Sequence, residues 1–296
     1  MRLAFFGLPL AALLLLADGH EIVFCVLSRK DSPGRRRLTR RLGGRAHMRG
    51  DLAEEAIVET MKSAHPDLLV SWFFTAKLPM SVVRSAAAGG IGVHPSLLPR
   101  HRGPDPYFAA IDQGDRVTGV TVHRIEAEYD TGAILATREL AIDPRWNAWQ
   151  LARQLDRPSL ALLRETVHRL AEGESIPEQD QDETRASFAP TPGDAACGLV
   201  WSWPVDRLLR RVRALAPSPG AFTEIGGRIL TILDARAAPD FPRALRAGEA
   251  AVVGERALIR AGDAAIELLR GEIDGELLDQ RGLVAVVARS RDLVLG

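Results

Sequence analysis

The sequence predicts an α/β domain built on a parallel sheet, followed by a smaller domain of the β-barrel or β-sandwich type. In the first half of the 296-residue chain, apolar runs of strand length alternate with helical stretches, a pattern typical of parallel strands covered on both faces. Residues 172–196 are rich in acidic residues, Gln, Pro, Ser and Thr, which indicates a linker. Short β-like runs separated by glycine turns follow and predict the second domain.

The composition is that of an ordinary globular protein, with 46% hydrophobic and 26% charged residues. Basic and acidic residues number 38 each, so no overall basic excess points to nucleic-acid binding. Cys25 and Cys197 lie in apolar stretches, which predicts buried thiols and is compatible with a reducing, cytoplasmic location. We expect no membrane span, because no apolar run approaches the ~20 residues that one requires.

The N-terminus allows two interpretations. An apolar run that ends in Leu13–Leu16 follows Arg2 and could be a secretory signal. Gly7 and Pro9 interrupt this run, however, and the turn residues 17–20 end it. A second apolar segment follows at once, so we favour a strand, a helix and a strand at Leu3–Phe6, Pro9–Ala17 and Glu21–Leu27.

The next segment, Ser28–Gly50, is predicted to be a loop and contains nine arginines and lysines. Asp51 is predicted to cap a helix that runs to about Ala64. Further along, the pattern predicts strands at Leu68–Phe74, Ile91–His94 and Ile134–Leu140, and another that contains Val120 and Val122. It also predicts a short helix at Pro79–Ala88 and a helix over about Trp146–Leu170 that is interrupted at Pro158. For the second domain it predicts a helix at Asp206–Leu215 and strands at Ala221–Ile225, Arg228–Ala235, Ala250–Val253, Ala257–Arg260 and Ala264–Arg270.

Side chains that could take part in catalysis lie at the end of the strand that stops at His94 and in a later loop. Pro95 and Pro99 disfavour a helix directly after it, which places His94 at the carboxyl edge of the sheet, where α/β proteins bind ligands. Its position alone is equally compatible with a histidine that bonds to the backbone of a rigid loop. Asp130 precedes Thr131 and Gly132, and taken alone this is a weak signal because Asp and Gly are common turn formers.

Taken together, these segments resemble the 10-formyltetrahydrofolate-dependent formyltransferases, and they are most similar to the members that formylate methionyl-tRNA. The similarity covers nearly the whole chain, in the family's order and at about its spacing. It rests on Arg2–Pro9, Trp72–Pro79, Val93–Pro99 with Arg102-Gly103, Gly119–His123 leading to Asp130–Gly132, Trp201–Pro204, and Arg213–Phe222.

The resemblance implies a Rossmann-like formyltransferase domain over residues 1–185, a linker over 186–196 and an OB-like β-barrel domain over 197–296. It implies that the one-carbon donor is 10-formyltetrahydrofolate and that His94 and Asp130 are the catalytic pair. The walls that receive the folate would be Phe74, Lys77, Leu78, Pro79, Ile91, Gly92, Glu128 and Tyr129. The remaining histidines lack partners at metal-ligand spacing, so we expect no metal site.

This chemistry suits the two residues that the resemblance assigns. An amine attacks the formyl carbon, a tetrahedral oxyanion forms, and the folate nitrogen leaves. The amine loses a proton and the leaving nitrogen gains one, and a histidine that titrates near neutral pH can serve both steps. A carboxylate at Asp130 would hold the ring of His94 and favour its protonated form.

One position departs from the family. The family's pattern is Asn-x-His, whereas this chain has Gly92-Val93-His94. Losing a donor to a developing oxyanion typically lowers the rate by about 10²–10³-fold. Three interpretations follow: a slow or differently assisted formyltransferase, transfer of a different one-carbon or acyl unit, or a catalytically weakened relative that binds folate. Gly92 would also leave space beside His94 for a larger group.

The acceptor is less well defined by the sequence. The basic segment Arg29–Arg49 resembles, in position, the loop with which methionyl-tRNA formyltransferases grip tRNA, and arginines suit phosphates. The segment is shorter than that loop and differs from it in composition. The alternative interpretation is that it is a solvent-exposed run of charges that does not bind tRNA. Because the asparagine is missing, we favour a specialised small-molecule or peptide amine over tRNA.

Overall fold

The computed structural model describes residues 1–290, so the last residues of the predicted second domain, 291–296, lie outside the described part. The chain forms two compact units. The first unit comprises Met1–Pro104, Val117–Ala141 and Gln154–Ala189, and the second comprises Asp105–Arg116, Ile142–Arg153 and the chain from Pro190 onward. The domain boundaries given above stay a prediction.

The first unit contains a seven-stranded sheet with the order β3-β2-β1-β4-β5-β6-β7. The strands from β3 to β5 are parallel, and β6 and β7 run antiparallel to their neighbours. The predicted α/β class with a parallel sheet is therefore confirmed. The strands are β1 (Arg2–Gly7), β2 (Glu21–Leu27), β3 (Ala46–Met48), β4 (Leu68–Trp72), β5 (Gly90–His94), β6 (Val117–Arg124) and β7 (Ile134–Ala141).

The predicted loop Ser28–Gly50 is wrong in part, because it contains both β3 and a helix. Helix α1 spans Pro9–Ala17 as predicted, and α2 spans Arg35–Leu42 within the basic segment. Leu38 and Leu42, four residues apart, are both buried and give α2 its apolar side. The density of arginines concealed this two-residue stripe in the sequence.

Three further boundaries differ from the prediction. Helix α3 spans Glu54–Ala64, and the carboxylate of Asp51 accepts a bond from the amide of Met48 (2.6 Å) instead of capping the helix. Strand β4 stops at Trp72 because Phe73 adopts a positive φ of 54°. Helix α4 is one turn, Met80–Val83, so the predicted helix at Pro79–Ala88 is too long.

Helix α6, Ala148–Ala171, continues through Pro158, so the predicted interruption is wrong. The proline lacks an N–H and removes one bond from the helix ladder without ending it. A helix that was not predicted, α5 (Pro106–Gln113), begins where Asp105 accepts a bond from the amide of Phe108 (3.2 Å) and proline occupies the first turn.

The polar segment after α6 is bonded to the first unit as far as Ala189. Gln179 and Ile134 exchange two main-chain hydrogen bonds of 2.8 and 2.9 Å. The amide of Ala189 donates to the carbonyl of Arg102 at 2.7 Å. Composition alone therefore misjudged residues 172–189, which are pinned beside the sheet and do not form a free linker.

The second unit contains a six-stranded antiparallel sheet, as expected for the second domain. Its strands follow the order β10-β11-β12-β9-β8, with β13 paired to β12. The core between this sheet and its helices includes Trp201, Leu208, Leu230, Ile259 and Leu283. The elements are α7 (Asp194–Cys197), α8 (Val205–Leu215), β8 (Ala221–Ile225), β9 (Arg228–Ala238), β10 (Ala250–Val253), β11 (Arg256–Arg260), β12 (Ala265–Ile273), β13 (Glu276–Leu278) and α9 (Gln280–Arg289).

Over the described residues, the structure has no helix with both the length and the apolar composition to span a membrane.

A buried hydrogen bond ties α6 to the sheet and gives a stability prediction. The indole Nε1 of Trp72 donates to Ser159 Oγ (3.1 Å), and Ser159 donates in turn to the carbonyl of Asp156 (2.9 Å). Ser159→Ala leaves the buried indole N–H without its acceptor, so we expect the free energy of unfolding to fall by about 1–3 kcal/mol in urea denaturation. Ser85→Ala, which removes a hydroxyl bonded to a carbonyl on an exposed turn, is the control. Equal stability of the two variants would contradict the prediction.

Candidate active site

His94 ends β5 and is almost fully buried. Its Nε2 lies 2.7 Å from the carbonyl oxygen of His101, so Nε2 carries a proton and donates. The intervening loop is fixed to β6, because Thr121 Oγ1 donates to the carbonyl of Ser96 (2.7 Å) and accepts from the amide of Leu98 (3.1 Å). The ring is therefore held in one orientation, with Nδ1 turned away from the His101 carbonyl.

Asp130 lies opposite that free side of His94. Its Oδ2 is 3.5 Å from His94 Nδ1 and accepts a 2.8 Å bond from the amide of Gly103. Asp130 has a φ of 58°, a conformation that Asp tolerates better than most residues. The side chain of Gln181 donates to the carbonyls of Asp130 (2.8 Å) and Gly132 (2.7 Å), which holds the loop in place.

Arg102 connects the two loops. The residue is only 9% exposed. Its guanidinium donates to Gln181 Oε1 (2.7 Å) and Glu183 Oε1 (2.6 Å). The same guanidinium lowers the pKa of Glu183 below its usual value. Through Gln181, the arginine thus fixes the loop that carries Asp130.

A second histidine, His123 on β6, completes the group. His123 is directly opposite Gly92 in the antiparallel pairing of β5 and β6. Its Nδ1 lies 2.7 Å from the carbonyl of Arg124, and its Nε2 lies 3.7 Å from Asp130 Oδ1. Burial lowers the pKa of His123 below its usual 6.5, His94 and Arg102 lower it further, and Asp130 opposes the shift.

The predicted folate-binding residues fall into three groups. Phe74 and Leu78 pack beside the core, with the Phe74 ring centroid 5.4 Å from that of Phe6. Lys77 pairs with Glu128 (3.4 Å), and its Nζ lies 5.9 Å from the ring centroid of Tyr129. Pro79 is exposed, Ile91 is fully buried within β5, and Gly92 faces His123.

Sequence reasoning missed the roles of His123, Gln181 and the carbonyl of His101. His123 was recognised as part of a strand pattern and of a family-like segment, but without a role, since the pairing of β5 with β6 is not readable from spacing. Gln181 lies in a segment whose composition indicates a linker. Among residues 1–290, no cluster of three or more His, Cys, Asp or Glu side chains has the arrangement of a metal site.

The comparison with known families decides the assignment. The family described as "Formyl transferase" matches residues 12–167, and that described as "Formyl transferase, C-terminal domain" matches residues 194–280. The chain belongs to the formyl transferase family. The family resemblance predicted from the sequence is thereby confirmed, and the chain belongs to a class of enzymes that transfer one-carbon formyl groups.

Among formyl transferase family members, methionyl-tRNA formyltransferases are close relatives of this chain. The protein of Anaeromyxobacter dehalogenans is 34% identical over 292 residues, and the match covers 93% of this chain and 93% of the relative. That of Acidothermus cellulolyticus is 36% identical over 248 residues, covering 78% of this chain and 75% of the relative. These matches extend over most of this chain.

Solved structures of lower identity share the fold. HypX from Aquifex aeolicus, solved in complex with tetrahydrofolic acid, gives a TM-score of 0.66 at 20% identity. The match covers 95% of this chain and 46% of HypX, so this chain spans just under half of that protein. An N-formyltransferase from Helicobacter canadensis, in complex with folinic acid and dTDP-3-aminofucose, gives 0.67 at 15% identity and covers 90% and 98% of the two chains.

The depressed pKa of His123 predicts how stability depends on pH. On unfolding, the ring regains its usual pKa of about 6.5, so below that pH the unfolded chain binds a proton that the folded chain does not bind. The free energy of unfolding should therefore fall as pH drops below about 6.5, by up to about 1.4 kcal/mol per pH unit from this group. In His123→Phe this part of the slope should disappear when urea denaturation is repeated between about pH 7 and 5. The exposed His168→Phe is the control, and a slope in His123→Phe as steep as that of the unsubstituted chain would refute the assignment.

Proposed function

We propose that this chain transfers a formyl group from 10-formyltetrahydrofolate to an amine, with His94 and Asp130 as the catalytic pair. The observation that carries the proposal is the pairing itself. The end of β5 and a loop distant from it in sequence bring His94 Nδ1 to 3.5 Å from Asp130 Oδ2. The family membership supplies the reaction class, and the residues that match its motifs are the ones that meet.

The contacts of His94 support a role as proton donor. One ring nitrogen donates to the carbonyl of His101 and the other faces the carboxylate of Asp130. A ring that carries both protons is thus stabilised on both sides, and it can give one of them to the leaving nitrogen. Asp130 would hold the ring in this orientation and balance its charge.

The residues predicted to receive the donor have suitable chemistry. Half-buried Phe74, buried Leu78 and half-exposed Tyr129 offer apolar surface that suits a flat pteridine ring. Lys77 is exposed at the rim, where a cation suits the carboxylates of a folate tail. These side chains, together with Pro79, Ile91, Gly92 and Glu128, remain the proposed folate walls.

Loss of His94 tests the proposal directly. In His94→Ala, release of tetrahydrofolate from 10-formyltetrahydrofolate in the presence of an acceptor amine should fall by about 10²–10⁴-fold, since a positioned acid–base group contributes that much. His168→Ala, an exposed histidine on α6, should keep the normal rate. Full turnover in His94→Ala would remove this residue from the mechanism.

For the acceptor, helix α2 favours a molecule that carries several phosphates. Arg36, Arg37, Arg40 and Arg41 are exposed, and no carboxylate in residues 1–290 pairs with them. Arginines four residues apart on one helix repel each other, so this face is stabilised when a polyanion binds. The similarity to methionyl-tRNA formyltransferases adds weight, and we therefore propose methionyl-tRNA as the first acceptor to test, ahead of the small amine that the sequence alone favours.

A small-molecule or peptide amine is the second candidate, and the observation that favours it is Gly92. A chain that lacks the family's asparagine has departed from the common site, which is more readily explained by a specialised acceptor. A nucleotide-linked 3-amino sugar is a suitable probe, because the Helicobacter N-formyltransferase was solved with such a molecule.

Salt dependence of tRNA binding separates the two candidates. If α2 contacts phosphates, changing Arg36, Arg37, Arg40 and Arg41 to Gln should weaken binding of initiator methionyl-tRNA about tenfold or more and reduce the salt slope by about one per lost contact. The matched control changes four ion-paired arginines to Gln and removes the same charge: Arg145, Arg169, Arg228 and Arg246. If the unsubstituted chain fails to bind this tRNA at low salt but formylates the amino sugar, the second candidate stands.

A further inference from the structure

The side chain of His123 borders the space that glycine leaves at position 92, so this space is less open than the sequence led us to expect. A Cβ atom added at Gly92 would lie 3.2 Å from His123 Nε2 and 3.4 Å from His123 Cε1. Contacts this close require the ring of His123 to shift by a few tenths of an ångström if position 92 carries a side chain. With glycine there, the ring of His123 stays close to the backbone and places a polar atom at this point of the site.

The hydrogen bonding of His123 fixes which nitrogen faces the site. A carbonyl oxygen only accepts, so Nδ1 must donate to Arg124 across the 2.7 Å contact. Nε2 is then the nitrogen that lies near Gly92, 3.7 Å from Asp130 Oδ1. In a neutral ring with this tautomer, Nε2 carries a lone pair and accepts protons.

The neighbouring charges favour the neutral ring. Asp130 is one carboxylate between two histidines, with His94 Nδ1 at 3.5 Å and His123 Nε2 at 3.7 Å. It can balance one imidazolium, and a second would be buried without a partner. Burial is the largest effect that lowers the pKa of His123, and the positive charges of His94 and Arg102 lower it further. The Asp130 carboxylate and the bond to the Arg124 carbonyl raise this pKa without reversing the shift.

We propose that His123 is a second catalytic residue, which accepts at Nε2 the proton that the attacking amine loses. This rests on the proposed function. As the bond between the amine nitrogen and the formyl carbon forms, the amine N–H breaks and an Nε2–H bond forms. The negative charge that develops on the formyl oxygen in the same step balances this second imidazolium. As the tetrahedral carbon collapses, its bond to the folate nitrogen breaks with the electron pair on that nitrogen, which takes a proton from His94. Asp130, which lies between the two rings, returns the proton from His123 to His94 and restores the starting state.

An NMR measurement tests this without an acceptor. In protein labelled with ¹⁵N-histidine, the signal of His123, assigned by its absence in His123→Phe, should report a neutral ring with the proton on Nδ1 at pH 7. A doubly protonated ring, or a neutral ring with the proton on Nε2, would overturn the proposal. Because no acceptor is needed, this result is independent of the proposed function.

Chemical rescue tests the proton transfer. His123→Ala should lower formylation of methionyl-tRNA, or of the amino sugar if that is the amine turned over, by about 10²–10⁴-fold. Added imidazole should restore part of the rate in proportion to its concentration, whereas pyrazole, which has the same shape but is a far weaker base, should not. His123→Phe keeps a ring in place and should stay inactive. His168→Ala with the same additives is the control.

The two failures are distinguishable. If the unsubstituted chain formylates neither amine, the proposed function is undermined, and the NMR result still judges the state of His123. If it does formylate an amine, two results would overturn this inference alone: full activity of His123→Phe, or equal rescue by imidazole and pyrazole. Either result would mean that His123 contributes to packing and not to proton transfer.

Discussion

The placement of the Asp130 carboxylate is the constraint on which the rest of the site depends. Its two oxygens face two different histidines, and one of them also accepts from the amide of Gly103. Asp130 holds its carboxylate in this position with a positive φ of 58°. Such a conformation persists where surrounding contacts hold it, and here Gln181 binds the carbonyls on either side of Thr131.

The same constraint explains why a polar segment far along the chain belongs to the site. Gln181 and Glu183 both accept from Arg102, which directly precedes Gly103. Gly103 has a φ of 103° and no side chain, so its amide can turn towards Asp130 while Phe188 packs against its Cα. Residues 102–103 and 181–183 therefore belong to the support of the Asp130 carboxylate.

The sequence predicted well where one local pattern decides the structure. The bounds of α1, β2, β8 and β10 agree with the prediction, because an uninterrupted apolar run or a clear turn marks each end. The family motifs singled out His94, at the end of a strand, and Asp130, in a separate loop, and the two side chains lie 3.5 Å apart. The sequence predicted poorly where tertiary contacts override composition: α2 is anchored by only two leucines, and residues 172–189 are held by bonds to loops about 50–80 positions earlier. The possible role of His123 was overlooked for the same reason, because it depends on the pairing of His123 with Gly92 on another strand.

The cross-strand pair of Gly92 and His123 changes how the missing asparagine is understood. If the site had simply decayed, the position opposite a lost side chain would be expected to leave a cavity. Instead, a Cβ atom added at Gly92 would lie 3.2 Å from Nε2 of an oriented imidazole. The ring of His123 therefore borders the position that the asparagine side chain would start from. This imidazole is a base that can be neutral, whereas an amide at position 92 could only donate or accept a hydrogen bond. With glycine at 92, the polar side chain of this cross-strand pair is one that can take up a proton.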